Sequence, residues 1–235
     1  CDVFVYTAGE SETWVEEIIS ASDADFEKVK FIDCVELQQE SEHIDEEHNH
    51  DDSCEHDSHE SEYDEHVWTS PMNAIRLSEA VCQAVIKADS KNCEYYKENL
   101  LSFRSELEKL DSEFRNLSSV ENPKTVIVAD RFPLMYLFDE YGIDYLAAFP
   151  GCSAQVQANP VTIAALNEKV KSDDIGTVFK GDMSKGEVAY SISDATSARV
   201  DTLYSCHMVS DDDFKSGVSY ISLMRRNLQA IKNAV

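Results

Sequence analysis

The side chains of this chain that could do chemistry are imidazoles and carboxylates, and their placement sorts them into two groups. Five histidines, His43, His48, His50, His56 and His59, fall within residues 40–65, among thirteen Asp or Glu and no Lys or Arg. His66 and His207 stand outside that tract, each beside an ordered pattern. Neutral imidazole nitrogen suits zinc, and carboxylate oxygen can complete the shell. The chemistry these residues fit is the holding of a divalent cation.

More candidates lie where predicted strands end. Asp130 precedes Arg131, Cys152 follows Gly151, Asp182 follows Gly181, and His207 follows Cys206. Parallel α/β sheets bind ligands beyond the carboxyl ends of their strands, so these groups are expected to face one crevice. Each also has a plainer reading. Asp130 serves equally well as a helix cap or as a partner of Arg131, and Asp182 as a turn residue. His207, alone in its half, is either a satisfied surface residue or a ligand at a strand end. Cys152 and Cys206 form a candidate disulfide across adjacent strand ends if the compartment is oxidising. His66 sits at a loop-to-helix junction, where packing of Trp68 can hold it. No G-x-S-x-G elbow, H-E-x-x-H, phosphate-binding G-x-x-x-x-G-K or G-x-G-x-x-G occurs.

Composition narrows the partners. There are 46 acidic and 20 basic residues, a net charge of -26, which repels nucleic-acid phosphates and anionic lipid heads and attracts cations. An acidic surface that only maintains solubility would look the same. The 235 residues are 43% hydrophobic, enough for a core, and no run approaches the roughly 18 apolar residues of a membrane span. Seven Cys without a C-x-x-C pair do not make a Cys-only zinc knuckle. Cys1 could open a mature lipoprotein, but Asp2 to Tyr6 reads at once as a buried strand rather than a polar tether. The expectation is that the chain starts inside a domain, with upstream residues missing.

The elements that must position these groups follow from periodicity. Val3 to Tyr6, a helix with Trp14, Val15, Ile18 and Ile19 on one face, and Lys28 to Cys34 make a strand–helix–strand unit. Residues 40–65 carry almost nothing apolar to offset their ordering entropy and read as a disordered, metal-binding loop. Ser70 and Pro71 then start a helix. A second helix begins near Asn92 with apolar residues at Tyr96, Leu100, Phe103, Leu107, Leu110, Phe114 and Leu117. Its stripe runs for roughly 25 residues, or about 35–40 Å, long enough to be a strut between two lobes or an ordinary packed helix. From residue 123 four strand–helix repeats follow, with strands at 125–129, 144–149, 177–180 and 200–205 and a last helix over 214–234. These predict a parallel sheet covered on both faces. The fold class is thus α/β: an N-terminal lobe over 1–91, a linking helix over 92–118 and a C-terminal lobe over 119–235.

Taken in order, D-V-F-V-Y-T-A-G-E-S-E-T-W, the acidic His-rich loop, E-H-V-W-T-S-P-M-N-A and N-C-E-Y-Y-K-E-N resemble the solute-binding proteins of zinc and manganese ABC transporters, the ZnuA-like group. The likeness covers essentially the whole chain. The segment around His66 is similar to the family's D-P-H-x-W-x-S/D-P, and the loop before it looks like the zinc-specific branch. The resemblance implies two α/β lobes joined by a rigid long helix with metal bound between them. It places one ligand at His66 and another at His207. A first-lobe histidine has no counterpart here, and the usual His or Glu of the second lobe is replaced by Asp130-Arg131. Asp130 or Asp182 would complete the site.

The implied role is capture of Zn2+, with Mn2+ as the alternative, and delivery to an ABC transporter permease in the membrane. The protein would be a monomer in the periplasm or lipid-anchored at the cell surface, and not an enzyme. The loop histidines would collect metal for the tight site. Because histidine must be neutral to bind, acidification should loosen the metal. Three other readings compete: a metal-sequestering or adhesive surface protein without a transporter, a zinc hydrolase with Asp130 or Asp182 as its base, and a cleft converted by Arg131 to an anion.

Overall fold

The computed structural model describes residues 1–7, 9, 12–22, 25–39, 63–119, 124–149 and 159–235. At the N-terminus, β1 (Val3–Tyr6) and β2 (Glu27–Lys30) pair in parallel, from Val3 with Glu27 to Tyr6 with Lys30. Helix α1 (Thr13–Ser20) makes the crossover. It buries Val15 and Ile19, one helical turn apart, while Trp14 and Ile18 are exposed. The four were expected on one buried face; a two-stranded sheet is narrow and covers only the i, i+4 pair. The strand expected to reach Cys34 stops at Lys30, and Phe31–Cys34 form a 3-10 turn.

The His66 segment leads into α2 (Pro71–Ala88). Ser70 accepts the Asn73 N–H at 3.1 Å, and Pro71 occupies the first turn, where a missing N–H costs nothing. Helix α3 (Cys93–Arg115) has 23 residues, a length of about 34 Å. It packs against α2 and, further along the fold, against the last helix. Its buried residues are all in its second half: Leu107, Leu110 and Phe114.

The C-terminal half is a four-stranded, all-parallel sheet in the order β4-β3-β5-β6. Its strands are β3 (Val126–Arg131), β4 (Tyr145–Phe149), β5 (Thr177–Gly181) and β6 (Arg199–Leu203). Every residue from Val126 to Ala129 is buried, as expected of a strand covered on both faces. Val126 and Val128 point into a core shared with Leu110, Phe114, Phe138 and Met224; Ile127 and Ala129 point the other way, onto Leu166, Val170 and Ile192. The first layer is built from α3, α4 (Met135–Tyr141) and α8 (Tyr220–Lys232), the second from α5 (Pro160–Ser172) and α6 (Glu187–Thr196). The single last helix expected over 214–234 is two. Helix α7 (Asp211–Lys215) is followed by Gly217, whose φ of +73° breaks the run, and Ser219 with Ser222 forms a capping box that restarts the chain as α8.

Tyr136 of α4 joins the two halves. Its hydroxyl donates to the Asp64 carbonyl at 2.9 Å and accepts the Gln38 N–H at 3.1 Å. Burial pushes the phenol up to about 12, against a lowering by the Gln38 N–H and a further rise from the Asp64 carboxylate. The unfolded chain loses this proton near 10 and the folded protein only near 12, so stability from Tyr136 is complete below pH 10 and declines between pH 10 and 12. Tyr136→Phe should therefore lower stability at neutral pH yet make the alkaline decline shallower, by at most about 1.4 kcal/mol per pH unit. Chemical denaturation at pH 9 to 12 reads both. A variant with an unchanged slope would mean that Tyr136 does not titrate in that window.

Candidate metal centre

The segment from Tyr63 to Pro71 carries the first imidazole. Tyr63 bridges to Gln39, and Asp64, expected inside the disordered acidic loop, is 1% exposed. Asp64 has partners that repay its burial. Its Oδ1 accepts the His66 backbone N–H at 2.6 Å and lies 3.0 Å from His66 Nδ1. With a carboxylate on Nδ1, that nitrogen carries the proton and Nε2 carries the lone pair, the arrangement that readies a histidine for metal. His66 is buried, and Thr69 Oγ1 donates to its carbonyl at 2.8 Å.

His207 comes from the turn after β6. Its backbone N–H donates to Ser205 Oγ at 3.2 Å, and its side chain is exposed. The fold brings this ring to 6.1 Å from the His66 ring, centre to centre, at 64°. Two imidazoles on one tetrahedral zinc place their ring centres about 5 Å apart, given a Zn–N bond of about 2 Å. The observed separation of the ring centres is about an ångström longer than that. The Trp68 ring lies 5.3 Å from His66 and 5.6 Å from His207.

The strand-end carboxylates go elsewhere. Asp130 Oδ1 accepts the Arg131 N–H at 2.9 Å and Oδ2 accepts the Gly181 N–H at 3.2 Å, so this side chain stitches the ends of β3 and β5 together. Asp130, Arg131 and Asp182 line a cavity of about 530 Å³ at the carboxyl ends of β3, β5 and β6. Among the described residues no group of three or more His, Cys, Asp or Glu side chains is gathered closely enough to hold a metal. Of the expected ligands His66 and His207 meet, and among the described residues neither Asp130 nor Asp182 joins them in a group of three. Cys206 carries a free thiol, pushed up to about 12 by burial and then by the nearby Asp182 carboxylate. Its expected disulfide partner, Cys152, lies outside the described residues, as do His43, His48, His50, His56 and His59.

Asp64 is the residue that reading the sequence for ligands overlooked, whereas Trp68 was expected to hold His66 by packing and its ring lies 5.3 Å from that imidazole. The signal was present: Asp64 stands where the D-P-H-x-W pattern begins, with Glu65 replacing its proline, and Trp68 closes it.

Two parallel α/β units thus place an imidazole pair where their segments meet. The chain belongs to the family described as ZnuA, zinc-uptake complex component A periplasmic, whose profile matches residues 1–234. It is 28% identical over 234 residues to the zinc-binding lipoprotein AdcA of Streptococcus pneumoniae, covering 98% of this chain and 45% of that protein. It is 27% identical over 238 residues to the high-affinity zinc uptake system protein ZnuA of Bacillus subtilis, covering 100% of this chain and 72% of that one. The chain thus spans less than half of the AdcA relative. The fold is that of the Zn(II)-bound ZnuA-like domain of Streptococcus pneumoniae AdcA, with a TM-score of 0.76 and 24% identity over 100% of this chain and 80% of that one.

Proposed function

We propose that this chain captures Zn2+ between its two lobes and hands it to the permease of an ABC importer on the outer side of the membrane. The observation that carries this reading is the meeting of His66 and His207, from opposite halves of the chain, at 6.1 Å between ring centres. Asp64 sets the His66 tautomer for coordination through Nε2. A nitrogen pair favours zinc over manganese, which prefers oxygen. The role is binding and release rather than catalysis: Asp64 orients His66, and Asp130 is bonded to backbone. The protein acts as a monomer, in the periplasm or lipid-anchored at the cell surface. The five loop histidines collect cations for the tight site, helped by the overall charge of -26.

Calorimetric titration with zinc and with manganese tests this. One tight zinc site, weaker manganese binding, and retention of the tight site when residues 40–62 are deleted are the expected results. Loss of all tight binding with that deletion would place the metal in the loop and overturn the reading.

A further inference from the structure

We propose that Trp68 is a positioning residue for metal capture: it ties the segment bearing His66 to the turn bearing His207, so that protein contacts set the separation of the two imidazoles. The inference rests on the zinc-capture reading above and assigns the residue that makes the site.

Trp68 is two residues after His66, and its indole N–H donates to the Ser205 carbonyl at 3.0 Å. Ser205 is two residues before His207, and its hydroxyl accepts the His207 N–H at 3.2 Å. One hydrogen bond therefore links the two histidine segments, with a single residue between it and each histidine. On its other side, the Trp68 carbonyl accepts the Tyr220 hydroxyl at 2.9 Å, from the first residue of α8. The same residue is thus fastened to the C-terminal half twice, through side chain and backbone. Its ring contacts both imidazoles, and the three ring centres form a triangle with sides of 5.3, 5.6 and 6.1 Å.

The turn it grips is itself held. Cys206, between Ser205 and His207, has a φ of +58°, a left-handed conformation that a residue with a side chain adopts only when its surroundings dictate it. Upstream, Tyr204 is clamped by Asn227, which accepts its N–H at 2.7 Å and donates to its carbonyl at 2.8 Å. Asn227 is fully buried in α8. The path from α8 through Tyr204 and Cys206 to His207 is therefore fixed, and Trp68 docks on its exit.

Packing alone would not select this geometry. Trp68 is half-buried and borders an open apolar groove of about 470 Å³ together with Tyr220. Its two bonds go to the strand-end turn and to the start of α8. Groups held in binding geometry by their own supports lose less freedom when the ligand arrives, which raises affinity without adding a contact to the metal.

The test compares zinc dissociation constants, by competition with a chromophoric chelator, and zinc-free melting temperatures for the wild type, Trp68→Phe, Tyr220→Phe and His207→Ala. Trp68→Phe keeps an aromatic ring beside both imidazoles and removes the N–H; Tyr220→Phe removes the bond on the other side and serves if Trp68→Phe does not fold. Both are expected to weaken zinc about tenfold, the lower end of the range for supports of metal ligands. A merely structural role would lower the melting temperature and leave the dissociation constant of the folded protein unchanged. Wild-type affinity in both aromatic variants, with His207→Ala impaired, would overturn the inference and leave the capture reading standing. Wild-type affinity in His207→Ala would overturn both.

Discussion

Alanine at position 207 is expected to weaken zinc binding by about a hundredfold or more, and alanine at position 66 by at least as much. Four-ligand zinc sites bind with about 10–16 kcal/mol, so one ligand accounts for about 3 kcal/mol, or two orders of magnitude. His207 is exposed on its turn, so His207→Ala should change affinity with little change in melting temperature. His66 is buried against Asp64, and its loss leaves a buried carboxylate with one partner fewer, so His66→Ala should lower both. Competition titrations of the two variants check this together. Equal affinity in wild type and His207→Ala would mean that the ring pair does not bind the metal.

Asp64→Asn is expected to weaken zinc by roughly 10–100-fold, though Asp64 touches no metal in this reading. The carboxylate accepts two N–H groups of His66, one from the backbone and one from the ring. Asparagine keeps the size and one acceptor oxygen but removes the charge. It also supplies an amide N–H that can donate to Nδ1, which would favour the wrong tautomer and place the proton on Nε2. The fold should survive, because the Tyr136 hydroxyl holds this segment through the Asp64 carbonyl, which the substitution leaves in place. A zinc dissociation constant unchanged in Asp64→Asn would show that the ring orientation is set by packing alone.

Much of the architecture was legible from periodicity. The β-α alternation after residue 123, the covered run Val126–Ala129 and the Ser70-Pro71 helix start all follow from local patterns, because a strand buried on two faces and a capped helix each leave a direct trace in residue order. The same reasoning misplaced what depends on neighbours. Trp14 and Ile18 share an apolar pattern with Val15 and Ile19, yet a two-stranded sheet is too narrow to cover all four. The end of β2 at Lys30 and the break at Gly217 likewise fell inside segments that read as single elements.

By itself the sequence determined the chemistry of the site: which residue types are available, that His66 stands beside a helix start and His207 after a strand, and that the charge suits cations. Only the tertiary structure decided which of these groups meet. It brought His66 and His207 together and placed Trp68 against both rings. It turned Asp130 into a stitch between β3 and β5, and it moved Asp64 from an acidic tract into a buried bond with His66. The physical reason is that a carboxylate's role depends on what surrounds it: amide protons in one place, an imidazole in another and water in a third. Those surroundings come from elements far apart in the chain, whose packing residue order does not express.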